Sequence, residues 1–432
     1  MKILVDTPQL WNTIDVYLES RHTSDGVLNF PGLHLLSTSL DRCKEVPAVV
    51  GIYNKQHRWL PPDEEAQRTR EIAITLARKI HIVKAIYVKV NSAKTLEEFV
   101  SYLPSPCPIL EAVWFTTYRN GEHPAHLPGP LAEDVLGRPL AENFEAPVLA
   151  SMTVLSRAIH RDSFTTWTSL VHLTVCRLSL HRDTGGETHL TVLIRAVAKL
   201  QNLKHIHLKG DRERNPGDDD PNSPQRFLLH RSFQVCVLRS VDTLVLEHLS
   251  AMASNVALRT IRGPSLRNIK LIDIDFHGAW LHSWTHLESE ANFPALTRYS
   301  FDRVCHSLIV LLVCIMQRCE ALGLRDIGKC NCDFCLVCTW NLAVILSTRD
   351  RNRVLPCQNL KVLALSGENP PGLTIGSRQY HLAGLVAFRN LHLVRATTLE
   401  TLVYEGFEDV PEHALGFYRR NVQNFAFSRI DI

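Results

Sequence analysis

The segment QNLKHIHL, residues 201–208, sets the pattern on which the fold depends. Leu203, Ile206 and Leu208 occupy its apolar positions, in the order apolar-x-x-apolar-x-apolar. Because successive side chains of a β-strand point to opposite faces, Ile206 and Leu208 share one face and their neighbours share the other. The segment therefore predicts a short strand with one apolar face and one polar face.

Segments of the same form recur along the chain, and their flanking residues make them more specific than the apolar pattern alone. A small residue, Pro or Asn stands one or two positions before the first apolar residue in PSLRNIKL, PALTRYSF, QNLKVLAL, TTLETLVY and TSLVHLTV. A stretch with helical periodicity precedes several of them, as in residues 190–200 before QNLKHIHL. Such a strand-turn-helix unit cannot bury its apolar face alone, so the pattern predicts units that stack on one another.

The predicted fold is α/β: an irregular leucine-rich-repeat solenoid, or horseshoe, with parallel strands on its concave face and helices on its convex face. Successive segments begin 21 to 41 residues apart, whereas a regular leucine-rich repeat takes about 20 to 29 residues, so we expect degenerate repeats. A doubly wound α/β sheet gives the same local pattern and is the alternative. Two insertions rich in Pro, Gly and charge, at about residues 119–146 and 210–226, are predicted to be surface loops.

The composition is typical of a soluble globular protein and argues against several classes of partner. Of 432 residues, 45% are hydrophobic and 21% are charged, which gives enough material for a large core. A net charge of +3 without a long basic run does not predict nucleic-acid binding. The longest apolar run, residues 308–316, is about half of a bilayer span, and the start of the chain lacks a secretory pattern. We therefore expect a protein of the cytoplasm or nucleus, with no nucleic-acid and no membrane partner.

The twelve cysteines are predicted to be buried thiols, since disulfides are rare in a reducing compartment. Their densest group is GKCNCDFCLVC, residues 328–338, which contains Cys330, Cys332, Cys335 and Cys338. Structural zinc usually takes two Cys-x-x-Cys pairs on separate turns, and no second pair is present here. On a helix, the last three of these cysteines would lie along one apolar face. Buried thiols are therefore the favoured interpretation, and zinc binding by the four cysteines is the alternative.

No catalytic or cofactor-binding motif stands out in the sequence. The phosphate-binding pattern G-x-G-x-x-G and the nucleophile elbow G-x-S-x-G are both absent. Histidines and carboxylates are spread along the chain with no spacing that selects a catalytic group. We therefore predict no enzymatic activity, no catalytic residue and no cofactor.

The strand pattern instead predicts a binding surface. If the apolar residues of each strand face the core, the residues between and beside them point to the concave side. Those residues mix aromatic and charged side chains, which are the types that anchor many protein interfaces. The predicted partner-binding residues are Tyr87, Trp114, His205, His207, Lys209, Glu247, Lys270, Arg298 and Arg325.

A stretch near the start of the chain resembles part of a known family. DTPQLWNTIDV, residues 6–16, carries the phrase P-x-L-W-x-x-I, and its Leu10, Trp11 and Ile14 are predicted to share a short helical face. Residues 40–47 then carry L-x-R-C-x-x-x-P on a predicted helix, and residues 49–53 form a predicted strand. This order resembles the region that directly follows the F-box in F-box proteins of mushroom-forming fungi, whose C-terminal regions are degenerate leucine-rich repeats.

In that family the F-box docks the adaptor of a cullin-RING ubiquitin ligase, and the repeats select the protein to be ubiquitinated. The resemblance implies a post-F-box-like helical segment at residues 1–58 and a degenerate leucine-rich-repeat domain at residues 59–432. Because only seven residues precede Pro8, we expect this chain to lack the F-box helices and therefore not to bind the adaptor. The predicted function is that of a non-catalytic scaffold resembling the substrate-binding part of an F-box receptor.

Two alternatives to this function stay open. An F-box encoded upstream of Met1 would make the chain a complete substrate receptor of an SCF-type ubiquitin ligase. Zinc binding by the cysteines of residues 330–338 would make it a metalloprotein.

Overall fold

Strands and helices alternate along the described chain, as the recurring segments predict. The computed structural model describes residues 7–19, 21–22, 28–54, 60–118, 145–156, 167–178, 189–210, 235–249, 251–274, 289–304, 316–326, 346, 357–366, 375–391, 397–406 and 410–429. The chain divides into two units, Met1–Lys204 and His205–Ile432, which we call the first and second units. The loops predicted at about residues 119–146 and 210–226 lie almost entirely outside the described residues, and the predicted division after residue 58 stays a prediction.

In the first unit the described strands pair in parallel and in chain order. They are β1 (Thr13–Tyr17), β2 (Ala48–Tyr53), β3 (Val83–Val90), β4 (Ala112–Thr117), β5 (Ser151–Leu155) and β6 (His172–Leu178). The described helices are α1 (Pro31–Cys43), α2 (Pro62–Ala77), α3 (Ala93–Ser101) and α4 (His189–Val197), with 3₁₀ turns at Pro8–Trp11 and Ile80–Ile82. Arg21–His22 and Leu28–Asn29 form a short antiparallel pair.

In the second unit a further series of described strands also pairs in parallel and in chain order. They are β7 (His205–Gly210), β8 (Thr243–Glu247), β9 (Asn268–Ile272), β10 (Arg298–Asp302), β11 (Ala321–Arg325), β12 (Val362–Ser366), β13 (Thr401–Gly406) and β14 (Asn424–Arg429). The described helices are α5 (Ala251–Thr260), α6 (Ile375–Asn390) and α7 (Glu412–Asn421), and Cys236–Val237 pairs with Ile261–Arg262.

The predicted α/β fold with a parallel sheet is confirmed. Strands β1 to β6 of the first unit, and strands β7 to β14 of the second, are neighbours in the order in which they occur in the chain. A doubly wound sheet instead reverses its strand order at a switch point, and neither unit shows such a reversal among its described strands.

The apolar positions of the recurring segments form the core, as their alternation predicts. In β7, Ile206 and Leu208 are 2% and 1% exposed, whereas the residues between and beside them are half-buried. The strand register places this pair beside equivalent apolar residues on the strands that follow. The buried neighbours on β8, β9 and β10 are Leu244, Leu246, Ile269, Leu271, Tyr299 and Phe301. The parallel strands therefore bury one continuous apolar face.

The residues that flank the segments fix the turn before each strand. In four of these turns, the Ser or Asn before the first apolar residue donates a side-chain hydrogen bond to a carbonyl of the preceding repeat. The bonds are Ser169 Oγ to Leu149 O (2.9 Å), Asn202 Nδ2 to Thr168 O (2.7 Å), Ser265 Oγ to Arg239 O (2.7 Å) and Asn359 Nδ2 to Gln317 O (3.0 Å). This contact explains why Ser and Asn recur at this position.

A row of backbone hydrogen bonds, which we call the entry ladder, joins the turns of the second unit. In each turn, the residue after the first apolar residue donates its N–H to the carbonyl of the equivalent residue in the preceding repeat. The bonds are Arg267 N to Asp242 O, Thr297 N to Arg267 O, Glu320 N to Thr297 O, Lys361 N to Glu320 O and Glu400 N to Lys361 O, at 2.9, 3.3, 2.8, 2.8 and 2.8 Å. The strands therefore start level with one another although the stretches between them differ in length.

Left-handed residues end four strands of the second unit. His248, Asp273, Arg303 and Asp326 each follow the last residue of a strand and have φ between 46° and 54°. Each donates its N–H to the carbonyl of the last residue of the next strand, at 2.8 to 3.0 Å. Non-glycine residues are uncommon in this conformation, and Asp and His are enriched among them. The same turn geometry thus recurs at the strand ends and brings polar side chains to one edge.

The start of the chain differs from the prediction. Leu10, Trp11 and Ile14 do not share a helical face, because Pro8–Trp11 is a 3₁₀ turn and Ile14 lies on β1, where it is 3% exposed. The alternation and the β-branched residues of TIDVY favour a strand over a helix. The helix and strand predicted after it are present as α1 and β2. Trp11 lies under Arg42 of α1, whose guanidinium carbon is 4.4 Å from the ring centroid.

Candidate interaction surface

The outward-facing residues of β7 to β14, which we call the polar face, form three rows that follow the strand register. The first row holds His205, Thr243, Asn268, Arg298, Ala321, Val362, Thr401 and Asn424. The second row holds His207, Val245, Lys270, Ser300, Gly323, Ala364, Val403 and Ala426. The third row holds Lys209, Glu247, Ile272, Asp302, Arg325, Ser366, Glu405 and Ser428. All but Val245 and Asp302 are half-buried or exposed.

The polar face brings together seven of the nine predicted partner-binding residues. They are His205, His207, Lys209, Glu247, Lys270, Arg298 and Arg325. The other two, Tyr87 and Trp114, lie on the first unit. Whether any of the nine contacts a partner stays a prediction.

Five charged or titratable side chains at one end of the polar face form what we call the Glu247 cluster. The Glu247 carboxylate lies 2.8 Å from His207 Nε2, 2.6 Å from Lys209 Nζ and 3.0 Å from His248 Nε2. His248 Nδ1 lies 2.9 Å from Asp273 Oδ2. Strands β7 and β8 supply the first three residues, and the left-handed residues after β8 and β9 supply the other two.

These contacts set the protonation of the cluster. Burial alone would raise the pKa of the Glu247 carboxyl, but hydrogen bonds from His207, His248 and Lys209 hold that pKa well below its usual range. Burial alone would lower the pKa of His248, but its hydrogen bonds to Asp273 and Glu247 raise that pKa above its ordinary value. Glu247 is therefore ionised, and His248 keeps its second proton to a higher pH than an ordinary histidine.

The geometry of the Glu247 cluster suits a structural role better than a reactive one. Both oxygens of Glu247 and both ring nitrogens of His248 already have partners within the cluster. Neither group can take a proton from a bound molecule without losing one of these contacts. Within the described part of the chain, no three His, Cys, Asp or Glu side chains are grouped so that they could hold a metal ion.

Three further cations project from the polar face. Lys270 is half-buried, and Arg298 and Arg325 are exposed. Arg325 Nε lies 3.8 Å from Asp326 Oδ2, a long contact between an exposed guanidinium and a half-buried carboxylate. No described carboxylate forms an ion pair with Lys270 or Arg298. These two side chains therefore carry uncompensated positive charge on the surface.

Tyr87 and Trp114 belong to an aromatic surface on the first unit. The register of β3 and β4 pairs them, and their ring centroids are 6.2 Å apart with an edge-to-face angle of 64°. Tyr17 and Tyr53 form a second pair, with centroids 5.9 Å apart, at the ends of β1 and β2. Burial raises the pKa of Tyr53, and the nearby Asp15 and the tyrosines add to that shift. The four rings thus form one surface that is only partly exposed.

Sequence reasoning missed His248, Asp273, Tyr17 and Tyr53. A His or Asp directly after a strand is a signal for a left-handed turn residue, and it could have identified the first two positions. The contact between them depends on the register of two strands that are distant in sequence, which a local pattern does not contain. Tyr17 was missed together with β1.

The cysteine prediction can be examined only in part. Cys330, Cys332, Cys335 and Cys338 lie outside the described residues, so zinc binding stays a prediction. The described cysteines are all free thiols; Cys43, Cys107, Cys236, Cys319 and Cys357 are buried and Cys176 is half-buried. Burial raises the pKa of Cys107 to about 11, which keeps that thiol protonated at neutral pH.

A polar cleft of about 460 Å³ lies between α2 and α3 of the first unit. Arg70 Nη2 and Glu98 Oε2 on its walls are 3.1 Å apart and neutralise each other. Behind the cleft, the carboxyl of Glu65 is fully buried. It accepts hydrogen bonds from Asn54 Nδ2, Asn91 N and Thr95 Oγ1 at 2.6, 2.9 and 3.1 Å. These contacts join α2 to the residues that follow β2 and β3 and to α3.

Comparisons with known proteins assign no family to this chain. Neither the models of protein families nor the curated protein sequences give a match. None of the described helices is both long enough and apolar enough to cross a membrane. A functional assignment therefore depends on the geometry of the polar face.

Proposed function

We propose that this chain is an irregular leucine-rich-repeat protein that recognises another protein through the polar face, without catalysis. The observation that carries the proposal is the register of β7 to β11, which gathers seven predicted contact residues on one side. Arg, Lys, His and Glu side chains on this face offer both charges and hydrogen bonds to a partner.

The dimensions of the polar face suit a protein partner. Eight neighbouring strands at a spacing of about 4.8 Å give a surface about 34 Å wide. A standard protein interface buries about 800 Å² on each partner, which corresponds to a patch about 30 Å across. The polar face therefore has about the width of one ordinary interface.

Three repeated contacts support the leucine-rich-repeat assignment. They are the Ser or Asn bond in the turn, the entry ladder, and the left-handed residue at the strand end. In leucine-rich repeats each unit adds one strand to a parallel sheet and returns through a helix or an irregular segment. The contacts recur here even though the repeats differ in length, as expected of degenerate units.

We also propose a relation to the substrate-binding part of F-box ubiquitin-ligase receptors, acting in the cytoplasm or nucleus. The support is the resemblance of residues 6–16 and 35–53 to the region after the F-box. Helix α1 and strand β2 occupy the positions that this resemblance implies. On this proposal the partner is a protein selected for ubiquitination.

A photo-crosslinking residue on the polar face tests the recognition proposal. We would replace Ser300, at the centre of the second row, with p-benzoylphenylalanine. The control carries the same residue at Arg262, an exposed position outside the three rows. In extract of the source cells, we expect a protein to crosslink from position 300 and not from position 262, and that protein to bind saturably once purified. Equal crosslinking from both positions, or none from position 300, would contradict the proposal.

A further inference from the structure

The first two rows of the polar face contain no carboxylate. On β7, β9 and β10 these rows carry His205, His207, Lys270 and Arg298. Their other members are neutral side chains of Thr, Asn, Ser, Ala, Val and Gly. Lys270 and Arg298 therefore give the middle of the face positive charge, and the first two rows carry no negative charge.

The carboxylates of the polar face are confined to its third row, where the nearest ones are already engaged. Glu247 has three cationic or hydrogen-bonding partners in its own cluster. Asp302 is buried, and its Oδ1 lies 3.6 Å from Arg303 Nε. Glu405 lies on β13, three strands beyond β10. Glu247 contacts His207 of the second row, but none of the three carboxylates forms an ion pair with Lys270 or Arg298.

Lys270 and Arg298 are diagonal neighbours on adjacent strands. The register pairs Arg298 with Asn268, which lies two residues before Lys270. With a strand spacing of about 4.8 Å and a rise of about 3.3 Å per residue, the two Cα atoms are about 8 Å apart. Alternate residues of an extended chain are about 6.6 Å apart and project on one side. Two such residues can each place a carboxylate on one of these cations.

The sheet backbone favours separate carboxylates over a phosphate group. Phosphate sites usually gather several backbone N–H groups at a helix start or in a tight loop. The backbone groups of β9 and β10 are committed to the parallel hydrogen-bond ladder. Each cation on this face therefore binds without help from backbone N–H groups. This arrangement suits single charges spaced along a peptide.

Beyond β10 the same two rows become small and apolar. Their members on β11 and β12 are Ala321, Gly323, Val362 and Ala364, all half-buried. The three atoms nearest to a Cβ added at Gly323 all belong to Ser300, with Oγ closest at 3.4 Å, an ordinary van der Waals distance. Gly323 and its small neighbours therefore leave room on this part of the face for short apolar side chains of a partner.

We propose that the polar face binds an extended acidic segment of a partner protein, in which Asp or Glu residues alternate with small apolar residues. Carboxylates of the segment contact Lys270 and Arg298, and its apolar side chains lie over Gly323 and Ala364. This inference rests on the proposed function and specifies the chemistry of the partner.

Fluorescence anisotropy on the full chain tests this chemistry with synthetic peptides. The probe alternates Glu with Val, and matched peptides carry Gln, Lys or phosphoserine in place of Glu. We expect the Glu peptide to bind about tenfold more tightly than the Gln peptide, and its affinity to fall as salt is added. Equal binding of the Glu and Gln peptides, or no binding of the Glu peptide, overturns the proposal. Binding of the phosphoserine peptide alone also overturns it.

Variants of the polar face locate the site. The double variant Lys270→Glu, Arg298→Glu should bind the Glu peptide about tenfold more weakly and gain affinity for the Lys peptide. Arg262→Glu reverses a charge outside the rows and should leave both affinities unchanged. Gly323→Leu adds bulk without charge, and should weaken the Glu peptide with its circular dichroism spectrum unchanged. Full binding by both the double variant and Gly323→Leu would place the peptide elsewhere and overturn the proposal.

The two proposals can fail separately. A protein that crosslinks from position 300 but binds equally well to the charge-reversed double variant would support recognition and overturn the acidic segment. Binding of the Glu peptide with no crosslinked protein would support the acidic-segment chemistry and contradict the proposed function.

Discussion

At the scale of single residues, Glu65 joins three parts of the first unit through one carboxyl. Its hydrogen bonds reach the residue after β2, the residue after β3, and α3. Burial raises the pKa of this carboxyl, although the hydrogen bonds from Asn54, Asn91 and Thr95 oppose the shift. Its ionised form is therefore held in place against a desolvation cost.

Replacing Glu65 with Gln should remove a pH dependence of stability. The pKa of Glu65 is higher in the folded state than in the unfolded state. The stability that this carboxyl contributes is therefore fully present below the unfolded pKa and is lost as pH rises through the folded pKa. We expect the free energy of unfolding in urea to fall for wild type, relative to Glu65→Gln, as pH rises. Glu65→Leu, which leaves buried donors unpaired, should cost about 2 to 4 kcal/mol. Parallel pH profiles for wild type and Glu65→Gln would refute the prediction.

His248 should show the same sign of pH dependence for a different reason. Its contacts with Asp273 and Glu247 raise its folded-state pKa, so its contribution is fully present below the unfolded pKa and is lost as pH rises through the folded pKa. His248→Asn keeps a residue that tolerates the left-handed conformation and removes the titration. We expect the stability advantage of wild type over this variant to shrink as pH rises. Asp273→Asn should lower the pKa of His248 measured by NMR, and an unchanged pKa would contradict this account.

At the scale of the element, each strand is set by the turn before it. The Ser or Asn of that turn bonds to the preceding repeat, so adjacent turns hold one another in place. The sequence predicts these turns well, because PSLRNIKL and QNLKVLAL carry the donor and the alternating apolar residues within one short window.

Asn359→Ala tests the contribution of one turn. The change removes the hydrogen bond from Asn359 Nδ2 to Gln317 O and should lower the free energy of unfolding by about 1 kcal/mol. Gln358→Ala alters the adjacent amide in the same turn and should cost less than about 0.5 kcal/mol. Denaturant unfolding would measure both, and equal losses would mean that the Asn359 bond has no special weight.

Strand β1 shows where prediction from a local pattern fails. Leu10, Trp11 and Ile14 have a spacing that fits a helix, and Thr7 and Pro8 lead into a turn before it. TIDVY also alternates, and its pairing with β2 decides between the two structures. The β-branched residues of TIDVY already favour a strand, and the long-range pairing with β2 fixes it.

Over the whole molecule, stability is shared among neighbouring repeats. Each strand of the second unit buries its apolar side against the strands next to it, so a loss in one repeat weakens its neighbours. Outside the Glu247 cluster, the opposite side of the same strands carries residues whose replacement should cost little. On the proposed function, recognition and stability therefore depend largely on opposite sides of these strands.

A matched pair on β10 tests this division. Phe301→Ala empties a fully buried position and should lower the free energy of unfolding by about 3 to 5 kcal/mol. Arg298→Ala on the exposed side of the same strand should change it by less than about 0.5 kcal/mol. Denaturant unfolding of both variants gives the comparison. A similar loss of unfolding free energy for Arg298→Ala would show that the polar face also contributes to stability.

The sequence alone predicted which residues lie on the polar face better than it predicted the contacts between them. Alternation placed His207, Lys209 and Glu247 on the non-core side of their strands, and a parallel register brought them together. The links from Glu247 to His248 and on to Asp273 were not predicted, because they depend on left-handed turns and on the offset between strands. Tyr17 was missed because residues 10–14 were predicted to be helical, and the Tyr17–Tyr53 contact depends on the pairing of β1 with β2.

The entry ladder allows the segments between the strands and the outward residues of the strands to change independently in evolution. The backbone bonds of the entry ladder hold the starts of its strands at the same height in the sheet. An insertion or deletion between these strands therefore alters the outer segments and leaves the spacing of the rows intact. Point substitutions at outward positions can meanwhile exchange charge or size without moving the backbone. Proteins that evolve from this fold can therefore change in length and in binding preference independently, one repeat at a time.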